Sequence, residues 1–118
     1  MSNSSENKSS VGKSKIETTH NVVDHMRKMG EDTSISRPVN FLFISEKKEF
    51  ASLENDLTLL GFKKIPSNYS EPEKSLLVTK NLDIDSLINT NIISQMLDLA
   101  NKYLVTFDGW ETIPVKKK

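Results

Sequence analysis

Apolar positions along the chain change their period several times, and each change marks an element. From Ile16, the residues Val22, Val23, Met26 and Met29 recur near helical spacing, the signature of one face with a 3.6-residue period. A Ser14-x-x-Glu17 capping box opens this run and Gly30 follows it, which suits the left-handed residue that ends many helices. The pattern predicts a helix over 15–29, with His20, Asp24, Arg27 and Lys28 on its polar face. Pro38–Ile44 then sets Phe41 and Phe43 against Leu42 and Ile44. Both faces of this strand are apolar, as in a central strand covered on two sides, or by helices on one side and a partner on the other. Ser45 is a good N-cap for a second helix over 46–60, striped by Phe50, Leu53, Leu57 and Leu60 and ended by Gly61. Phe62–Ile65 reads as a short strand stopped by Pro66, Ser67–Glu73 as a turn, and Ser75–Lys80 as the hairpin partner. Between Asn81 and Asn91 a third helix begins either early, on Leu82, Ile84, Leu87 and Ile88, or late, capped by Asn89 or Thr90. It runs to about 102 through Ile92, Ile93, Met96, Leu97, Leu99 and Ala100, and leads directly into a last strand on Val105 and Phe107.

Beyond the first helix, the order is strand, helix, strand, repeated once. Two such halves with short links fold most readily as a ferredoxin-like α/β sandwich, an α+β fold with a four-stranded antiparallel sheet (βαββαβ) and an extra N-terminal helix. Right-handed crossovers give the strand order 4-1-3-2, which makes the first and third strands central. The N-terminal helix falls outside the repeat and packs either on an edge or on the open sheet face.

Composition narrows the class. The 118 residues suit one domain, 15–113, between a polar tail at 1–14 expected to be disordered and a basic tail at 114–118. There is no Cys, so a disulfide framework, a Cys-based zinc site and a thiol nucleophile are excluded. No apolar run approaches the roughly 18–20 residues that span a bilayer. Met1–Ser10 has no apolar core of a secretory signal. A cytoplasmic protein without membrane contact is the expectation. The formal net charge of zero conceals an uneven distribution. Residues 16–115 carry 10 basic and 15 acidic groups, a net −5, whereas Lys116–Lys118 add +3. An acidic body argues against direct nucleic-acid binding, which favours a basic patch on the domain itself, and leaves a basic protein partner open.

Candidate chemistry is sparse. His20 and His25 are five residues apart on a helix, so they point to different faces and form no metal pair. There is no Gly-rich phosphate loop and no nucleophile elbow, so no cofactor or metal is expected. Phe41 and Phe43 invite comparison with an RNA-stacking sheet, but no basic residue interleaves with them and core packing is the stronger reading. The stretch Phe107-Asp108-Gly109-Trp110-Glu111 holds the only Trp. Asp108 there is either a general base or, the better reading, half of an Asp-Gly turn or bulge with Gly109. Trp110 is either a core anchor or an interface residue.

Those residues carry a resemblance. Phe107–Glu111, just after a helix with Leu99-Ala100, resembles the C-terminal signature of the ribonuclease activity regulator B (RraB-like) family. Arg37-Pro38-Val39-Asn40-Phe41 resembles that family's first strand, Leu60-Gly61-Phe62 the close of its next helix, and Val78-Thr79-Lys80 the strand after the hairpin. The similarity covers roughly 15–112. It implies the same ferredoxin-like sandwich and a non-catalytic regulator, similar to proteins that bind and inhibit the endoribonuclease RNase E. It also makes Asp108, Gly109, Trp110 and Glu111 the family-motif residues and an interaction site. Two other readings stay open: an immunity-like stoichiometric binder with an unrelated target, and a small enzyme whose site assembles only in three dimensions. The partner, its docking face and the oligomeric state are not encoded in any motif.

Overall fold

A computed structural model of the chain describes the backbone of residues 4–115 and the side chains of 15–115. The tail expected at 1–14 and the lysines of 116–118 therefore lie wholly or partly outside the described residues. The elements are α1 (Ser4–Lys28), β1 (Ser36–Ile44), α2 (Ala51–Leu59), β2 (Lys63–Ile65), β3 (Ser75–Asp83), α3 (Ser86–Asn89), α4 (Ile92–Tyr103) and β4 (Thr106–Thr112). A single 3₁₀ turn, Pro72–Lys74, precedes β3. The sheet order is β2-β3-β1-β4 with every pair antiparallel. This is the 4-1-3-2 order of the ferredoxin-like sandwich, with β1 and β3 in the centre.

The alternation of β1 explains the core. Val39, Phe41 and Phe43 are fully buried on the helix-covered face, while Asn40, Leu42 and Ile44 on the other face are only half-buried. The ring of Phe41 meets that of Phe62 edge-on at 5.4 Å, and Phe43 lies 5.3 Å from Phe107. These phenylalanines are thus core, and neither offers a ring to a nucleic-acid base. From α4, Ile92, Ile93, Met96 and Ala100 enter the same core, and from α2, Leu53 and Leu57. The helix ends follow the glycines: Gly30 (φ +85°) and Gly61 (φ +94°) turn left-handed. The Glu31 and Phe62 amides then reach back to the Met26 and Leu57 carbonyls at 3.0 Å each.

Three boundaries differ from the sequence pattern. The helix expected from 15 extends back to Ser4, so Ser14 lies within it and not at its cap. Its buried residues are Thr19, Val23 and Met26, whereas Ile16, Val22 and Met29 are exposed. The second helix starts at Ala51, not after Ser45. Ser45 is used otherwise: its amide donates to the Lys74 carbonyl at 2.8 Å, and its hydroxyl accepts the Lys47 amide at 3.2 Å. With Lys48 left-handed (φ +58°), the chain makes a tight turn before it can wind. The ambiguous segment 81–91 follows neither option as stated: a separate short helix, α3 (Ser86–Asn89), intervenes, and α4 starts at Ile92 with Asn91 at its N-cap, not Asn89 or Thr90. β3 continues to Asp83 opposite Ser36, and then α3 forms, with the Asp83 carboxylate accepting the Ser86 amide at 3.1 Å. α1 packs against α3 and α4, on the helical side of the sheet and beside β4. The open face is left without it.

Candidate functional site

The sequence singled out Asp108, Gly109, Trp110 and Glu111, and β4 brings them together on an edge strand. Phe107 pairs with Phe43, but Gly109 pairs with Leu42, so Asp108 is the extra residue of a β-bulge. Gly109 has φ +145°, a conformation that L side chains rarely adopt, and this is why the Asp-Gly pair takes the bulge. Past the bulge Trp110 faces the same side as Phe41, and Glu111 faces the opposite side beside Asn40. Asp108 and Glu111 are exposed; Trp110 is half-buried and packs on the core.

The contacts of this strand run to α1. The Trp110 indole Nε1 donates to the Thr19 hydroxyl at 3.1 Å, and that hydroxyl donates to the Lys15 carbonyl at 2.9 Å. Lys15 Nζ in turn donates to the Asp108 carbonyl at 2.6 Å. It is the carbonyl of Asp108, and not its carboxylate, that the fold uses. Between α1 and β4 lies an open groove of about 420 Å³ with Val22, Met26, Phe107, Trp110 and Pro114 among its lining residues. Trp110 therefore anchors the strand and also borders accessible space.

The other end of the groove is closed by residues whose role the sequence did not reveal. Arg37 is buried at the start of β1. Its guanidinium pairs with Glu31 at 3.2 Å and donates to the carbonyls of Ile35 and Ile113, both at 3.3 Å, and of Asp32. Glu31 also accepts the Val115 amide at 3.3 Å, while the Asp32 amide donates to the Val115 carbonyl at 2.8 Å. The chain beyond β4 is thus fastened through Val115. Nearby, Asp85 accepts from the Thr33 hydroxyl at 2.6 Å and from Arg27 at 2.7 Å. The Thr33 hydrogen bond and then that from Arg27 hold its carboxyl below the ordinary value. On α2, Asp56 is lowered in the same way, first by the Tyr103 hydroxyl and then by Lys102.

These charged clusters fasten elements to one another; Glu31 also lines the groove, and Tyr103 an open depression with Lys48, Glu54 and Lys64. Among the described residues, no three His, Asp or Glu side chains converge as a metal site. His20 and His25 are both exposed on α1. No helix among the described residues is long and apolar enough to cross a membrane.

Comparison with known proteins bears on this arrangement. No individual curated protein matches the sequence significantly. The family model for RraB, regulator of ribonuclease activity B, matches residues 16–112. That span runs from within α1 through the last residue of β4, and includes Glu31, Arg37, the bulge and Trp110. With most of its length under that match, the chain belongs to the RraB family of regulators of ribonuclease activity.

Proposed function

We propose that this protein is a non-catalytic regulator that binds an endoribonuclease of the RNase E type and restrains it by contact, without binding RNA itself. The observation that carries this reading is the family match across 16–112. The site supports it. Asp108 and Glu111 stand exposed on an edge strand, where a macromolecular surface can reach them, and the groove beside them has an apolar wall. A net −5 over 16–115 favours a basic protein surface over a polyanion. The reaction is the partner's; this chain supplies a surface, and its setting is the cytoplasm.

The test is a cleavage assay with a purified RNase E-type enzyme and a labelled RNA, titrated with this protein. The expected result is a rate that falls and then saturates near stoichiometric protein, together with co-elution of the two proteins from a sizing column and no shift of the RNA alone. An unchanged cleavage rate at saturating protein, with no co-elution, refutes the reading.

A further inference from the structure

The groove between α1 and β4 is bordered by six consecutive β4 residues, Phe107–Thr112. Successive residues of a strand face opposite sides of a sheet, so a groove opening on one face would meet only alternate ones. This groove therefore opens onto the free edge of β4, whose other side is occupied by β1. A strand edge presents a row of backbone N–H and C=O groups that can template another strand. The bulge at Asp108 interrupts that row and confines a regular ladder to Gly109–Thr112.

The two sides of this edge differ in chemistry. On the helix side stand Trp110, Met26 and Val22, the last 39% exposed despite its apolar side chain. On the other side Glu111 is exposed, and Asp108 projects from the bulge. Neither carboxylate has an ion-pair partner among the described residues. Lys15, the cation of the lining, is engaged by the Asp108 carbonyl. Two copies of this edge pairing with each other would set these carboxylates close together, which opposes self-association.

We propose that the α1–β4 groove is a strand-addition site for an extended segment of a protein partner in which apolar and basic side chains alternate. The segment pairs with Gly109–Thr112. Its apolar side chains rest against Val22, Met26 and Trp110, and its Lys or Arg side chains meet Asp108 and Glu111. Alternation with period two is what a strand delivers to two such sides. This rests on the reading as a protein-binding regulator and gives that reading a surface and a partner chemistry.

The probe is a synthetic peptide of about eight residues alternating Val with Lys or Arg, titrated into the isotope-labelled full chain and followed by NMR. The expected result is perturbation of the Gly109–Thr112 amides and the Trp110 indole. An analogue with Glu in place of Lys and Arg, and one N-methylated at alternate residues to block pairing, should each bind at least about tenfold weaker. Val22→Arg should weaken the basic peptide by about tenfold with an unchanged melting temperature. No binding at about millimolar peptide, equal binding of the acidic analogue, or perturbation confined to the Leu42 and Ile44 face overturns the proposal. The ribonuclease assay run with Val22→Arg separates the two readings. Full inhibition by the variant removes the groove and keeps the regulatory role, whereas peptide pairing on β4 with no effect of either protein on the ribonuclease keeps the groove and removes that role.

Discussion

Replacing Arg37 with Met should be among the most damaging single changes in this fold. Met keeps much of the buried stem but removes the guanidinium. Arg37 is 2% exposed at its side chain and Glu31 only 13%, so the variant leaves a carboxylate largely out of water. The Val115 amide at 3.3 Å is the hydrogen bond it keeps. The carbonyls of Ile35 and Ile113 lose the Arg37 donor at the same time, and that of Asp32 retains the Ile35 amide at 3.5 Å. Breaking a buried pair from one side typically costs about 3–5 kcal/mol, because the remaining charge is uncompensated. For a domain of this size each kcal/mol lowers the melting temperature by roughly 4–8 °C, so a fall of well over about 10 °C is expected. The assay is urea unfolding followed by Trp110 fluorescence, reading the midpoint at constant slope. The double variant Arg37→Met with Glu31→Met tests the cause. If the stranded carboxylate dominates, the double variant recovers a substantial part of the loss. A single-variant loss under about 1 kcal/mol, the scale of an ordinary hydrogen bond, refutes the reasoning. So does a double variant whose loss is the plain sum of its parts.

Other consequences follow from the same contacts. Trp110→Phe should cost only about 1 kcal/mol in urea unfolding, because the Thr19 hydroxyl it leaves still donates to Lys15. Trp110→Ala should cost about 2 kcal/mol, below the range for a fully buried aromatic, since the indole is half-buried. Gly109→Val should lose about 1–2 kcal/mol to backbone strain alone, as φ is +145° and a Cβ there meets nothing; the melting temperature reads this directly. Asp85 is held below its ordinary value of 3.8, so folding favours its ionised form. The stabilisation is complete above that value and is lost as the pH falls through 3.8 and on through the folded value. Asp85→Asn should therefore flatten the acid limb of the stability profile, and a variant that loses as much stability on acidification as the wild type would refute the assignment.

How far the sequence reaches is clearest at β1. Its alternation placed Phe41 and Phe43 on one face, where the structure adds Val39, and the element order around it implied the whole sheet order. The same parity puts Arg37 on the core face, two residues before Val39. It was not recognised because a guanidinium is expected outside, and the Ile113 carbonyl that accepts from it lies 76 residues away in the chain. Thr19 is a similar case: it sits four residues before Val23 on the buried side of α1, but a hydroxyl leaves no mark on an apolar pattern. Ser45 misled in the opposite sense. Its N-cap propensity is real, but the Lys74 carbonyl and the Lys48 turn claim the segment first. The Asp108-Gly109 bulge was legible because the chemistry of that pair is local. The groove beside it was not, since it depends on where α1 settles.

That placement of α1 links stability to binding. In the described part of the helix, Thr19, Val23 and Met26 are buried, while Ile16, Val22 and Met29 remain exposed. A helix docked by so narrow a stripe needs help, and polar contacts provide it. Lys15 and Thr19 hold its middle to β4, and Arg27 ties its last turn to Asp85. The Glu31–Arg37 pair fixes the chain just beyond. Such contacts have direction and reach, so they hold the helix at a distance from the strand, where apolar packing would draw it against β4 and close the groove. The edge of β4 stays open because the helix beside it is tied and not fully packed. A change that improved the packing of Val22 onto Trp110 should therefore raise the melting temperature while removing the groove's capacity to take a strand.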